Sequence, residues 1–287
     1  MKTREMEIVA NDGAKSSLRI FEQDGQSPFV IIFMPAMGVE AAYYSPFAEA
    51  LAHKGHTVVL ADHRGLGTSN LRASRKVNFG YQEMIDFDFP AVVSKVGEAF
   101  PGRGILLGGH SLGGQLSVLY TALNPETIDG LVFVSSCTVY YKNWKFPDSL
   151  KILAGTQTAS LLAKTIGFFP GKRIGFGGTE ARQVINDWAF NGRTGKYGTA
   201  NNHTDFEARI NEINLPAIAI SLEGDWFAPE KAVDHLIGKM GGNAITRIHL
   251  TRNDAGPETL NHFKWVRNSE PIVEKISAWI HQLSVAG

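Results

Sequence analysis

Ile105-Leu106-Leu107-Gly108-Gly109-His110-Ser111-Leu112-Gly113-Gly114 is the stretch on which the reading of this chain turns. The apolar run at its start reads as a strand buried on both faces, and it ends in Gly-His-Ser-Leu-Gly. In the residues that follow, Gln115 to Leu123, the apolar positions Leu116, Leu119, Tyr120 and Leu123 recur at helical spacing. A buried strand, a tight turn with glycines on both sides of a serine, and then a helix is the context of a nucleophile elbow. Gly109 and Gly113 leave room for the helix to pass close to the strand. Ser111 is forced into a strained turn that points its hydroxyl outward. The plainer alternative is a serine that only caps the helix. The seating between strand and helix favours a nucleophile.

Outward from this point, strands alternate with helices. Glu7–Ala10 and Ser17–Phe21 flank Asn11-Asp12-Gly13, a hairpin signal. Pro28–Met34, Thr57–Ala61 and Gly130–Ser135 are continuous apolar runs rich in β-branched residues, expected as buried strands. Between them, Ala41–His53 carries helical spacing that stops at Gly55. Tyr81–Phe100 contains a helix that Asp88 is placed to cap, with Pro90 in its first turn. After Ser136 the rhythm breaks, and residues 137–206 are dense in aromatics and glycines without a clear strand. It resumes with a strand at Ala217–Leu222, a helix at Glu230–Met240, a last strand at Ala244–Leu250 and a closing helix at Pro271–Gln282. The pattern predicts an α/β fold, a mostly parallel central sheet of about eight strands flanked by helices. Residues 1–136 and 207–287 form its core, and a helical cap, residues 137–206, is inserted after the sixth strand.

Composition narrows the function. With 287 residues, 44% of them hydrophobic, the chain can bury a large core. Its 28 basic and 28 acidic side chains cancel, so no field favours nucleic acid or an anionic membrane. One cysteine, Cys137, excludes an internal disulfide. The first residues are charged and do not resemble a secretory signal, and no apolar run approaches the roughly 18 residues that span a bilayer. A cytoplasmic protein is the expectation.

A serine hydroxyl needs a neighbouring base, and in sheets of this kind active groups sit on loops at the carboxyl ends of strands. The loop after Leu222 reads Glu223-Gly224-Asp225-Trp226-Phe227-Ala228-Pro229, and Asp225 there is the candidate acid. A plainer role for it or for Glu223 is to cap the turn. The exit of the preceding strand, Ser135-Ser136-Cys137, offers no carboxylate. Among nine histidines, His249 falls in a strand, His235 in a helix, and His53 and His56 at a helix end. His110 should point away from the serine hydroxyl, His63 is a weaker candidate, and His203 lies in the insertion. His262, in Thr259-Leu260-Asn261-His262-Phe263-Lys264-Trp265, lies on the loop expected beside the elbow and is the candidate base. The histidines lack an H-E-x-x-H spacing and a cysteine cluster, so no metal is expected.

The order Ser111, Asp225, His262 resembles that of the α/β-hydrolases. Asp62-His63-Arg64-Gly65-Leu66-Gly67-Thr68-Ser69 is similar to the D-x-R-G-x-G-x-S loop found after an early strand in many of these enzymes. A phosphate loop is the alternative for Gly65-Leu66-Gly67, but the third glycine and a Gly-Lys-Ser/Thr ending are missing. The resemblance spans nearly the whole chain and implies an oxyanion hole made of two backbone N–H groups, one from Leu112. The second donor comes from the loop after the third strand, where relatives carry His-Gly and this chain has Pro35-Ala36. Alignment of the strand ends points to the Met37 amide. The chain is therefore expected to be a serine hydrolase that cleaves a small carboxylic ester, with no cofactor. Acyl transfer to another acceptor, amide or peptide cleavage, and a catalytically idle ligand-binding protein are the rivals. The insertion would roof the site with an apolar underside.

Overall fold

The computed structural model describes residues 1–23, 27–199, 204–242 and 244–286. Strands β1 (Lys2–Val9) and β2 (Lys15–Glu22) form the hairpin, followed by β3 (Phe29–Met34), α1 (Ser45–His53) and β4 (Thr57–Ala61). Then come α2 (Tyr81–Glu83), α3 (Phe89–Ala99), β5 (Gly104–His110), α4 (Leu112–Leu123) and β6 (Gly130–Val134). Next are α5 (Asp148–Ile166), β7 (Phe168–Pro170), α6 (Gly171–Ile174), β8 (Thr179–Ala181), α7 (Arg182–Thr194) and α8 (Phe206–Asn211). The chain closes with β9 (Ala217–Leu222), α9 (Glu230–Ile237), β10 (Ile245–Leu250) and α10 (Glu270–Ala286).

Eight strands form one sheet in the order β1-β2-β4-β3-β5-β6-β9-β10, parallel from β4 to β10 and antiparallel at β1 and β2. The continuous apolar runs are explained by burial on both faces. Along β3, Val30, Ile32 and Met34 join one core cluster, while Ile31 and Phe33 join the other. The helix after the elbow, α4, is buried from Leu112 to Ala122, which is why it is apolar nearly all round. The Asp225 loop leaves the end of β9, and the His262 loop follows β10, so both emerge on the side where β5 meets Ser111.

Two local expectations are corrected. Residues 137–206 are not strand-free, because β7 and β8 pair as a small antiparallel hairpin between α5 and α7. These strands are three residues long, too short to show an alternation. Asp88 does not cap a helix. A helical run is continuous from Tyr81 through a π-helical turn at Met84–Asp88 into α3, so Asp88 lies within it and has no free N-terminus to serve. Its carboxylate instead accepts from Arg64 Nη2 at 2.6 Å and Nε at 2.9 Å. Arg64 also bonds Asp12 at 2.5 Å, tying the loop after β4 to the first hairpin.

The inserted segment meets the core through buried polar groups. Asp187 on α7 accepts the Tyr81 amide at 2.9 Å and Gln183 Nε2 at 2.7 Å, and Glu180 on β8 accepts the Gly178 amide at 3.1 Å. Burial pushes both carboxyl groups up to about 7, against the pull of these bonds. The folded chain thus holds more protons than the unfolded one between the ordinary carboxyl range and pH about 7, and its stability falls as pH rises through that window. The double variant Glu180→Gln, Asp187→Asn should gain on the wild type by on the order of 2 kcal/mol between about pH 5 and about pH 8 in urea unfolding. An equal difference at both pH values would count against this account.

Candidate active site

The turn at Ser111 is built by close approach. Its backbone sits at φ 52°, ψ −112°, a region that side chains rarely adopt. The Ser111 amide donates to Val134 O at 3.3 Å, which ties the turn to β6. A Cβ on either Gly109 or Gly113 would collide with the Met34 carbonyl at the end of β3. The glycines therefore let the start of α4 sit directly against β3 as well as β5. Although Ser111 is the N-cap residue of α4, its side chain makes no capping hydrogen bond, so the hydroxyl is not consumed by the helix.

His262 and Asp225 meet. The imidazole Nδ1 lies 2.8 Å from Asp225 Oδ2, with the two residues 5% and 4% exposed. A carboxylate only accepts, so Nδ1 carries the hydrogen and Nε2 is left with a free lone pair. Asp225 Oδ1 accepts the amides of Phe227 at 3.0 Å and Ala228 at 3.1 Å. The capping role and the pairing with His262 are thus performed by different oxygens of one carboxylate. Glu223 is occupied elsewhere, by Arg252. Ser111 and His262 line the same cavity, and among the described residues the Ser111 hydroxyl has no hydrogen-bond partner.

Other histidines are committed to packing. His235 Nδ1 pairs with Thr138 Oγ1 at 2.6 Å, His249 Nδ1 with Ser221 Oγ at 2.7 Å, and His56 Nε2 with Ser277 Oγ at 3.0 Å. His203 lies outside the described residues. His63 is buried, its pKa pushed down to about 4, so it is neutral and donates through Nε2 to Pro35 O at 2.8 Å. His110 points away from the serine hydroxyl toward Tyr44, whose Oη lies 2.8 Å from Nδ1, and its ring packs 4.5 Å from that of His262.

Tyr44 was legible in the sequence only as an apolar position of a helix. Its hydroxyl also accepts the Ala36 amide at 3.0 Å, so it holds the loop after β3. With Ala36 engaged, the neighbouring Met37 amide is left without an acceptor among the described residues, as is that of Leu112. Met37 and Leu112 both border the cavity beside Ser111. The Asp62–Ser69 loop has no spare amides for a phosphate, because most turn inward. Asp62 accepts Ala41 and Thr68, Ser69 Oγ accepts Gly65, and His63 O accepts Leu66.

The cavity beside Ser111 has a volume of about 690 Å³ and runs between α4 and the inserted segment. Its walls are mainly apolar, with Phe169, Phe176 and Trp188 from the insertion and Trp226, Phe227 and Phe263 from the two loops. Lys172 and Arg173 are exposed and do not border it. Among the described residues no three His, Cys, Asp or Glu side chains converge as a metal site, and no helix is long and apolar enough to cross a membrane.

Eight strands in this order, with Ser111 on a strained turn between β5 and α4, define an α/β-hydrolase. Residues 26–190 match the family described as serine aminopeptidase, S33, over more than half of the chain, and the protein belongs to that family. Rat (Rattus norvegicus) monoglyceride lipase is 27% identical over 147 residues, 51% of this chain and 47% of the lipase. The chain thus spans about half the length of the curated relatives it matches. The α/β hydrolase GrgF from Penicillium sp. sh18 superposes with a TM-score of 0.66 at 15% identity, covering 98% of this chain and 99% of that one. Monoacylglycerol lipase of Paleococcus ferrophilus gives 0.57 at 14% identity, covering 97% and 100%. Both likenesses are of fold.

Gly113→Ala tests the close approach at the elbow. The added methyl must displace β3 or α4, so the variant should lose about 1–3 kcal/mol and several degrees of Tm in a thermal melt. An unchanged melt would show that the contact with Met34 has slack.

Proposed function

We propose that this protein is a serine hydrolase that cleaves a small, uncharged carboxylic ester through an acyl-enzyme. The observation that carries the reading is the Asp225–His262 pair at 2.8 Å, set on the cavity wall that also holds the unengaged hydroxyl of Ser111. His262 Nε2 takes the proton from Ser111, whose Oγ attacks the ester carbonyl carbon. The Asp225 carboxylate fixes the ring and stabilises the imidazolium. The Met37 and Leu112 amides receive the oxyanion. The alkoxide leaves with the proton from His262. Water, deprotonated by the same nitrogen, then attacks the acyl-enzyme and releases the acid and Ser111. Residues 137–206 serve as a cap that closes the apolar side of the site.

The family description and the lipase relatives point to two substrate classes, and the cavity favours one. A peptide with a free amino terminus brings an ammonium group, which needs a carboxylate partner in an apolar site. No Asp or Glu is among the described residues that line this cavity. An uncharged ester carries no such demand, and the printed activity of the mammalian relatives, monoglyceride lipase, is of that kind.

Ser111→Ala should lower kcat/KM for acyl esters by roughly four to six orders of magnitude and abolish labelling by an active-site phosphonate. Ester hydrolysis or labelling that survives the substitution would remove Ser111 from the mechanism. Asp225→Asn should cost about 10⁴-fold in kcat, because the amide permits the wrong imidazole tautomer, with KM little changed. A loss confined to KM would contradict that role.

A further inference from the structure

Gln115 has a place in the site that the proposed triad does not use. It stands four residues after Ser111, so the two side chains share one face of α4 about one helical turn apart. It is 1% exposed in a helix whose buried neighbours are mostly apolar, yet it borders the cavity. Tyr197 donates its hydroxyl hydrogen to Gln115 Oε1 at 3.2 Å. Tyr197 is itself buried and anchored, its amide bonded to Glu207 Oε1 at 2.9 Å and its ring beneath Lys239 Nζ at 5.9 Å. The oxygen end of the carboxamide is therefore held on the protein side. Its Nε2 has no acceptor among the described residues and is not sealed within protein, so it faces the cavity.

Beside it the lining consists of Leu112, Cys137 and Val139, and burial keeps the Cys137 thiol protonated. None of these supplies a strong acceptor. A donor in such surroundings discriminates strongly: a substrate with an acceptor oxygen at that height satisfies it, and a plain alkyl chain leaves it unpaired.

We propose that Gln115 is a specificity-determining residue whose carboxamide N–H groups donate to an acceptor oxygen in the body of the substrate, separate from the scissile carbonyl. The preferred substrate class is then an ester with an oxygenated chain, bearing an internal keto or ether oxygen, in place of a simple fatty ester. This rests on the serine-hydrolase reading above, because Ser111 is the fixed point from which that oxygen is placed.

The test uses the full chain and pairs of short-chain esters. In each pair one member is a plain chain, and the other has a single methylene replaced by a keto carbonyl or an ether oxygen, at successive positions on the acyl or the alkoxy side. At one position the wild type should prefer the oxygenated ester by about tenfold or more in kcat/KM. Gln115→Met, similar in volume and without a donor, should bring that ratio to about one. Tyr197→Phe frees the carboxamide to rotate and should lower the ratio in the same direction without touching Gln115. A merely structural role for Gln115 would lower both members of a pair together and leave the ratio intact. A preference that survives Gln115→Met, or a wild type that hydrolyses both members of every pair equally, overturns the proposal and leaves the ester-hydrolase reading standing. A folded wild type that turns over no ester overturns both.

Discussion

The start of α4 lies against the carbonyl of Met34, and the rest of the site depends on that contact. A β-carbon at Gly109 or Gly113 would occupy the same space, so the approach exists only because both positions are glycine. Once it is made, the backbone at Ser111 has to turn through φ 52° to leave the strand and enter the helix. The strain is held by what surrounds it, a parallel sheet on one side and a buried helix on the other. The same contact brings the Leu112 amide and the loop after β3 to one edge of the cavity. A local steric allowance thus sets both the exposed serine and the polar surroundings proposed for it.

Much of this was legible in the residues. Ile105–Leu107 and Pro28–Met34 are apolar without alternation because the strands are covered on both faces, and a two-sided burial pattern survives any error in register. Ser111, Asp225 and His262 were found because each follows a strand end, where side chains of one sheet edge gather. What escaped was of a different kind. The π-helical turn at Met84–Asp88 hides in a normal helical pattern, and it turned Asp88 from an expected cap into a partner of Arg64. The β7–β8 hairpin has three residues in each strand, fewer than an alternation needs to show itself. Tyr44 and Gln115 were counted by position on a helix, which records the face a residue occupies and says nothing of the polar atom at its end. For both, the available signal was a hydrogen-bonding group at an otherwise apolar face.

The inserted segment contributes most of the aromatic wall, and the loops after β9 and β10 complete it. Three separate stretches of chain therefore converge on one space of about 690 Å³, and its lining carries no acidic side chain among the described residues. Charge selection in such a space operates by exclusion. A buried ion without a partner is costly, so an apolar lining rejects ammonium groups without any repulsive element. Gln115 adds a polar contact of the opposite sense, attractive and confined to one height along α4.

His63 and Tyr44 act on the same peptide unit. The carbonyl of Pro35 and the amide of Ala36 belong to one planar group, and His63 holds its oxygen while Tyr44 holds its nitrogen. A plane gripped at both ends cannot flip, so the orientation of the next amide, that of Met37, is settled before any ligand arrives. The side chains at 35 and 36 take no part in this grip, which is why a proline and an alanine can stand where relatives carry histidine and glycine. The readiness of the pocket edge toward negative charge is thus a property of a clamped backbone, indifferent to the residues that decorate it.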